Sequence, residues 1–349
     1  MINTSVLSTI LQAGERRRED RRRFLRAAGG AAALAGGMTL LSACGSDDEG
    51  DDPVLTPTPP TSTPAPTPGA VSEADVLNFA LQLEYLEANY YSFAALGQGL
   101  PANQQTGTGA QGAVTGGRQV NFTDPVVRQY AREIAADEIA HVAFLRQALG
   151  AAAAAQPAIN ISGDANGAFT AAARAANVIP ATATFDPYAS DENFLLGAFL
   201  FEDVGVTAYM GGVELLSTPM LIEAAAGIHA VEAYHAGLVR TVLYNKGIQA
   251  PNAPVGQAAN LFQAVERISN ARDTLDGTAN SGRLNQGGDR DQGIGDANTA
   301  NLVPADPNAI AFVRSPSQVL NIVYLTPGPS IAGGGFFPAG VNGTVRSTS

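Results

Sequence analysis

The chain has 349 residues, 45% hydrophobic and 15% charged, enough apolar side chain for a packed core in one or two domains. Its formal net charge of −12 argues against nucleic acid as a partner and against a charge-driven hold on anionic lipid. A single cysteine, Cys44, excludes any internal disulfide.

Residues 1–43 read as a leader. Arg21-Arg22-Arg23-Phe24-Leu25-Arg26 resembles a twin-arginine export signal, and an uncharged Ala/Gly/Leu stretch follows from Ala27 to Ala43. Leu41-Ser42-Ala43-Cys44 resembles a bacterial lipobox, which implies cleavage before Cys44 and acylation of its sulfur. The alternatives are an ordinary cleaved signal or a plain anchor, but the stretch is short and glycine-rich for a spanning helix. The expectation is therefore an exported protein, lipid-anchored on the periplasmic or cell-surface side of a membrane. Seven of the 20 Lys+Arg and three of the 32 Asp+Glu precede Cys44, so the remainder sets 13 basic against 29 acidic residues. Residues 44–70 are acidic and then dense in Pro and Thr, the composition of an extended linker.

Residues 71–250 carry four long helical periods. Ser72-x-x-Asp75 is a helix N-terminus signature, and the first helix, over 73–95, places Ala80, Glu84, Glu87, Tyr91 and Ala94 on one stripe. The second starts after Thr123-Asp124-Pro125 and stops at Gly150, with Val127, Ile134, Glu138, His141 and Leu145 in line. The third, over 192–216, aligns Leu195, Phe199, Glu202, Val206, Tyr209 and Val213. The fourth opens at Thr218-Pro219 and is expected to end near Asn245, before Gly247; its stripe is Leu221, Ala225, Ile228, Glu232, His235, Val239 and Val242. The turn between the third and fourth is too short for anything but antiparallel neighbours. The second and third are separated by about forty residues with a short helix near 165–176, a long crossover of the kind four-helix bundles use. The 97–123 segment, rich in Gly, Gln and Thr, reads as a loop longer than its hairpin requires.

Residues 251–349 form a weaker pattern: a helix over 258–275, a polar loop over 276–301, and a short helix from Ser315-Pro316 through Tyr324 before a Gly/Phe-rich end. This extension is expected to pack on the bundle. The fold class is all-α, an antiparallel four-helix bundle with one long crossover and an irregular C-terminal extension with short helices.

Two of the three histidines follow a glutamate by three residues, in Glu138-Ile-Ala-His141 and Glu232-Ala-Tyr-His235. On a helix that spacing aims a carboxylate and an imidazole from adjacent turns at one point. The first and third helices align Glu84 with Glu202 and Tyr91 with Tyr209. The second and fourth align Glu138/His141 with Glu232/His235 and Arg146 with Arg240. The bundle thus reads as two copies of one hairpin related by a pseudo-two-fold axis. Four glutamates in the middle of apolar stripes must be paired, protonated or coordinated, because burying each uncompensated costs several kcal/mol. Lys246 is the only lysine, and inward arginine is hard to place on these stripes. Two divalent cations held by Glu84, Glu138, His141, Glu202, Glu232 and His235 satisfy both demands. Glu87 reads as an alternative ligand or entry-path carboxylate, or else as a rim ion pair. His229 is an accessory ligand or a satisfied histidine. Tyr91 and Tyr209 either hydrogen-bond to ligands or are ordinary core tyrosines, and Asp137 and Asp203 point away from the site, to the surface or behind a ligand.

The bundle resembles the ferritin-like superfamily. More narrowly, Leu77-Asn78-Phe79-Ala80-Leu81-Gln82-Leu83-Glu84-Tyr85-Leu86-Glu87-Ala88, the segment Gln318-Val319-Leu320-Asn321-Ile322-Val323-Tyr324 and the Gly/Phe-rich end resemble exported ferritin-like proteins related to desiccation-related proteins. The resemblance spans about 72–340 and implies the same six ligands. It also implies Fe or Mn (with Zn left open) reacting with O2 or peroxide in ferroxidase, peroxidase or catalase-like chemistry. The other reading is a non-enzymatic stress or surface protein whose site is empty or structural. A homodimer is left open, and the membrane is a partner through the N-terminal lipid.

Overall fold

The computed structural model of the chain describes residues 71–250, 260–277 and 290–349; the leader, Cys44 and the Pro/Thr linker lie outside them. Four long helices form the body. They are α1 (Glu73–Leu96), α2 (Pro125–Leu149), α4 (Asp191–Val213) and α5 (Pro219–Gln249), with the short α3 (Ala168–Ala175) in the crossover. The extension adds α6 (Leu261–Asp276) and α7 (Pro316–Val323).

The helix starts follow from their caps. The Ser72 hydroxyl accepts from Asp75 N at 3.2 Å while the Asp75 carboxylate accepts from Ser72 N at 2.9 Å, closing a capping box on α1. Asp124 caps α2 ahead of Pro125, and Ser190 caps α4. Thr218 makes no side-chain cap for α5. Glu73 supplies one from α1 instead, accepting from Ser217 N at 2.6 Å and Thr218 N at 2.7 Å. The α4–α5 turn is thereby pinned to the first residue of α1.

All four helices run antiparallel to their neighbours. Glu84 meets His141 while Asn78 meets Ala152, which sets α1 against α2. Glu202 meets His235 while Glu192 meets Lys246, which sets α4 against α5. The two hairpins join through Tyr90–Phe194 and Tyr209–Glu84 between α1 and α4, and through Asp137–His235 and Asp124–Lys246 between α2 and α5. α4 is long and apolar enough to cross a membrane, yet most of it is buried within the bundle, as befits a core helix.

Three expectations need correction. α5 does not stop before Gly247 but runs through it to Gln249; a Cβ at Gly247 would lie 2.9 Å from the Phe262 ring, so this glycine serves close approach of α6 rather than helix termination. The 97–123 segment is not merely loop: β1 (Val114–Gly116) pairs in parallel with β2 (Ile159–Ile161) of the crossover, so each long connection holds the other in place. Three residues per strand left no periodicity to read. Asp203 is not at the surface, and arginines do enter the fold. Arg240, Arg272, Arg290 and Arg314 are buried together with Asp203, Asp276 and Asp291. Arg240 binds Asp203 at 2.7 Å, Arg272 binds Asp203 at 3.0 Å and Asp291 at 2.6 Å, and Arg314 binds Asp276 at 2.7 Å and also Asp291. The extension covers the outer face of α4 and converts a would-be solvated acid into the anchor of an ion-pair lattice. α6, expected over 258–275, is observed as Leu261–Asp276, and α7 ends at Val323 with Tyr324 as its cap.

Candidate metal centre

Each bundle helix contributes from its middle, where the backbone is fully hydrogen-bonded and the side chains are buried. Glu84, Glu138 and Glu232 are 0% exposed and Glu202 is 1%. His141 and His235 are also buried, so the register that turns all six inward is the one observed. His141 Nδ1 lies 3.2 Å from Glu84, 3.4 Å from Glu138 and 3.6 Å from Glu232. His235 Nδ1 lies 3.1 Å from Glu138 and 3.5 Å from Glu202. Two groups with cation-binding spacing result, Glu84/Glu138/His141/Glu232 and Glu138/Glu202/His235, with Glu138 common to both. The imidazole rings sit 6.3 Å apart, centroid to centroid.

The groups surrounding these donors follow the repeat. The Tyr91 hydroxyl on α1 donates to Glu202 on α4, and the Tyr209 hydroxyl on α4 donates to Glu84 on α1. Each tyrosine fixes one carboxylate oxygen and leaves the other facing the centre. The histidines are not equivalent: His235 Nε2 is 3.3 Å from the Asp137 carboxylate. The position matching Asp137 in the second hairpin is Val231. His229 turns its Nδ1 to the Val206 carbonyl at 3.0 Å and joins neither group. Glu87 is buried beside the centre but lies outside both groups.

Glu84 Oε2, both oxygens of Glu138 and of Glu232, Glu202 Oε2, and Nδ1 of His141 and of His235 are buried without a hydrogen-bond partner. Buried polar atoms are rarely left unpaired, and these gather in two adjoining groups that share Glu138. Carboxylate oxygens with imidazole nitrogens are the donor set for Fe, Mn or Zn. The cluster is compatible with a di-metal site, and no ion identity follows from it.

Electrostatics give the same answer from another side. Without a cation, burial and repulsion from Glu138 hold the Glu84 carboxyl up at about 7 against the pull of His141. Burial and neighbouring acids push Glu87 and Glu232 well above the usual carboxylate range, and burial raises Glu202. Burial would raise Glu138 too, but the two imidazoles outweigh it and hold it low. Burial would lower His141, yet Glu84 and Glu138 raise it to about 11, and Glu202 with Asp137 and Glu138 raises His235. Five acids and two histidines crowded together must take up protons or a cation. Burial keeps the hydroxyls of Tyr91 and Tyr209 as donors, well above their ordinary range.

Of the two places the sequence allows Asp137, at the surface or behind a ligand, the structure shows the second, behind His235. One feature is not legible from the sequence. Gly205 follows Glu202 by three residues, as Glu87 follows Glu84, so the two occupy matching positions of the repeat.

A family model described as "Ferritin-like domain" matches residues 72–245. The chain is similar to the ferritin-like catalase Nec2 of Nesocodon mauritianus, 29% identical over 79% of this chain and 86% of that one. It is also similar to the desiccation-related protein PCC13-62 of Craterostigma plantagineum, 27% identical over 71% of this chain and 76% of that one. No solved structure matches the chain significantly.

Proposed function

Residues 72–245 belong to the ferritin-like domain family, and from that premise we propose that the chain is an exported di-metal carboxylate protein, acting on dioxygen or peroxide under oxidative or desiccation stress. The observation that supports it is the set of unpaired donors from four helices, gathered in two adjoining groups. Glu84, Glu138, His141 and Glu232 would hold one ion, and Glu138, Glu202 and His235 the other. Two such ions, Fe or Mn, supply one-electron steps shared between neighbouring centres.

The chain's own residues do the rest. Glu138 lies within reach of both groups and fixes their spacing. Tyr91 and Tyr209 hold Glu202 and Glu84 so that one oxygen of each stays directed inward. The apolar residues above and below each glutamate exclude bulk water. The name of one relative, a ferritin-like catalase, favours peroxide disproportionation, in which two H2O2 give O2 and two H2O with no outside reductant. The twin-arginine leader, Cys44 and the linker favour export and a lipid tether, with folding and metal loading completed before translocation.

The other relative's name, a desiccation-related protein, favours a second reading in which the same bundle is a non-catalytic stress or surface protein. Elemental analysis of natively exported protein, followed by O2 and peroxide consumption assays, separates the two. Two metal equivalents with turnover support the oxidative reading. Two equivalents without turnover support the second. Less than a tenth of an equivalent, unchanged on adding Fe or Mn, would sink both the metal site and the chemistry built on it.

A further inference from the structure

Beneath α7 a crevice opens between α1 and α4. Leu86, Phe201 and Val204 wall it from the bundle, and Ile322, Val323 and Phe336 wall it from the C-terminal extension. Its free volume is about 20 Å³, room for one water-sized or diatomic molecule. Glu87 is the one polar side chain in its lining. The outer wall is firmly held: Phe336 N donates to the Val323 carbonyl at 2.9 Å, and the Phe336 ring sits edge-on to Phe201 and Phe169 at 5.0 and 5.1 Å.

The inner end is Gly205. A Cβ there would come within 2.3 Å of Glu232 Oε2 and 3.4 Å of Glu87 Oε1. Only hydrogen therefore separates the crevice from the Glu232 carboxylate at this point. The repeat shows how this opening arises. Glu87 and Gly205 occupy matching positions, so one hairpin places a carboxylate beside the centre and the other leaves a gap opposite it. A second glutamate at position 205 would collide with Glu232.

We infer that this crevice is the entry path by which a small uncharged oxygen species, dioxygen or hydrogen peroxide, reaches the carboxylate centre, with Glu87 at its inner end. The inference rests on the oxidative reading above. An apolar lining offers an ion nothing to replace its water. So small a free volume favours a molecule of one or two heavy atoms over organic peroxides or larger reductants. The C-terminal extension thereby becomes a size filter for the bundle it covers.

Xenon tests the path without turnover. Crystals of the mature, metal-loaded protein under xenon pressure should show an anomalous peak between Phe201 and Val323; no peak at saturating pressure overturns the path. Val323→Trp should fill the outer half. Its iron-loaded form, mixed with H2O2 or O2, should show the absorbance change of the centre slowed by about tenfold or more at unchanged iron content, a gating effect rather than a chemical one. If Val323→Trp loses metal, Ile322→Phe takes its place. Wild-type rates in a variant retaining its iron overturn the path. Xenon in the crevice together with a wild-type centre inert to both oxidants counts against the oxidative reading, and leaves the crevice supported as an entry for small uncharged molecules.

Discussion

His235 Nε2 faces the Asp137 carboxylate at 3.3 Å, while the position that aligns with Asp137 in the other hairpin is Val231, so the repeat is broken at the group behind His235. A carboxylate on the outer nitrogen fixes the tautomer and makes the inner nitrogen a stronger donor. Asp137→Asn should therefore weaken one metal equivalent by about 10- to 100-fold and leave the other near its wild-type affinity. Stepwise titration by calorimetry reads this directly, and an equal loss at both steps would contradict the asymmetry.

Glu138 is the group common to both clusters, whereas each histidine serves one. Glu138→Ala should lower the bound metal by more than one equivalent, and His141→Ala or His235→Ala by one each. Elemental analysis of folded, dialysed protein distinguishes these outcomes.

Cation uptake should release protons. His141 is raised to about 11 by Glu84 and Glu138 against the effect of burial, and burial lifts Glu84 to about 7. The metal-free cluster consequently holds protons that a cation displaces. Because metal competes with protons, apparent affinity should rise with pH, most visibly through about 7, where Glu84 titrates. Acidification of a weakly buffered solution on adding Fe(II) or Mn(II) checks it; uptake without acidification would refute it.

Glu73 gives a pH signature remote from the centre. Backbone N–H groups of Ser217 and Thr218 hold its carboxyl at about 2, below its ordinary 4.5. A folded-state value below the unfolded one stabilises the fold above the unfolded value, and that stabilisation is lost as pH falls from 4.5 to about 2. Glu73→Gln should lower the melting temperature at neutral pH, with the difference from wild type closing across that window. A constant difference down to pH 2 would show that the residue acts through packing alone.

The helices and the inward register of their glutamates could be read before any coordinates because each rests on local rules. Ser72 and Asp124 are caps read from a few residues, and Glu84, Glu138, Glu202 and Glu232 fall on stripes of helical period. The remainder depends on contacts distant in the chain. Asp203 looks like a solvated acid until α6 delivers Arg272 beside Arg240, and Gly247 looks like a stop until Phe262 packs on it. The Glu87–Gly205 match was present in the repeat, but a glycine advertises nothing until its absent side chain has a neighbour to avoid.

Removing Asp203 tests that long-range part. Asp203→Ala leaves Arg240 and Arg272 buried with fewer partners and should cost about 3–5 kcal/mol. Urea unfolding measures the loss. A change below about 1 kcal/mol would place the strength of the lattice in its backbone bonds, such as those from Arg240 to Gly293 and Asn301.

The same lattice has a temporal side. Asn342 donates its backbone N–H to Gln82, two residues before Glu84, and Arg314 donates its own to the Thr207 carbonyl on α4. The first helix of the bundle is thus braced by a residue 260 positions downstream. A nascent chain that has emerged only through α5 has its four glutamates but not the wall above them, so the cover over the centre forms only once residues 314–342 have followed.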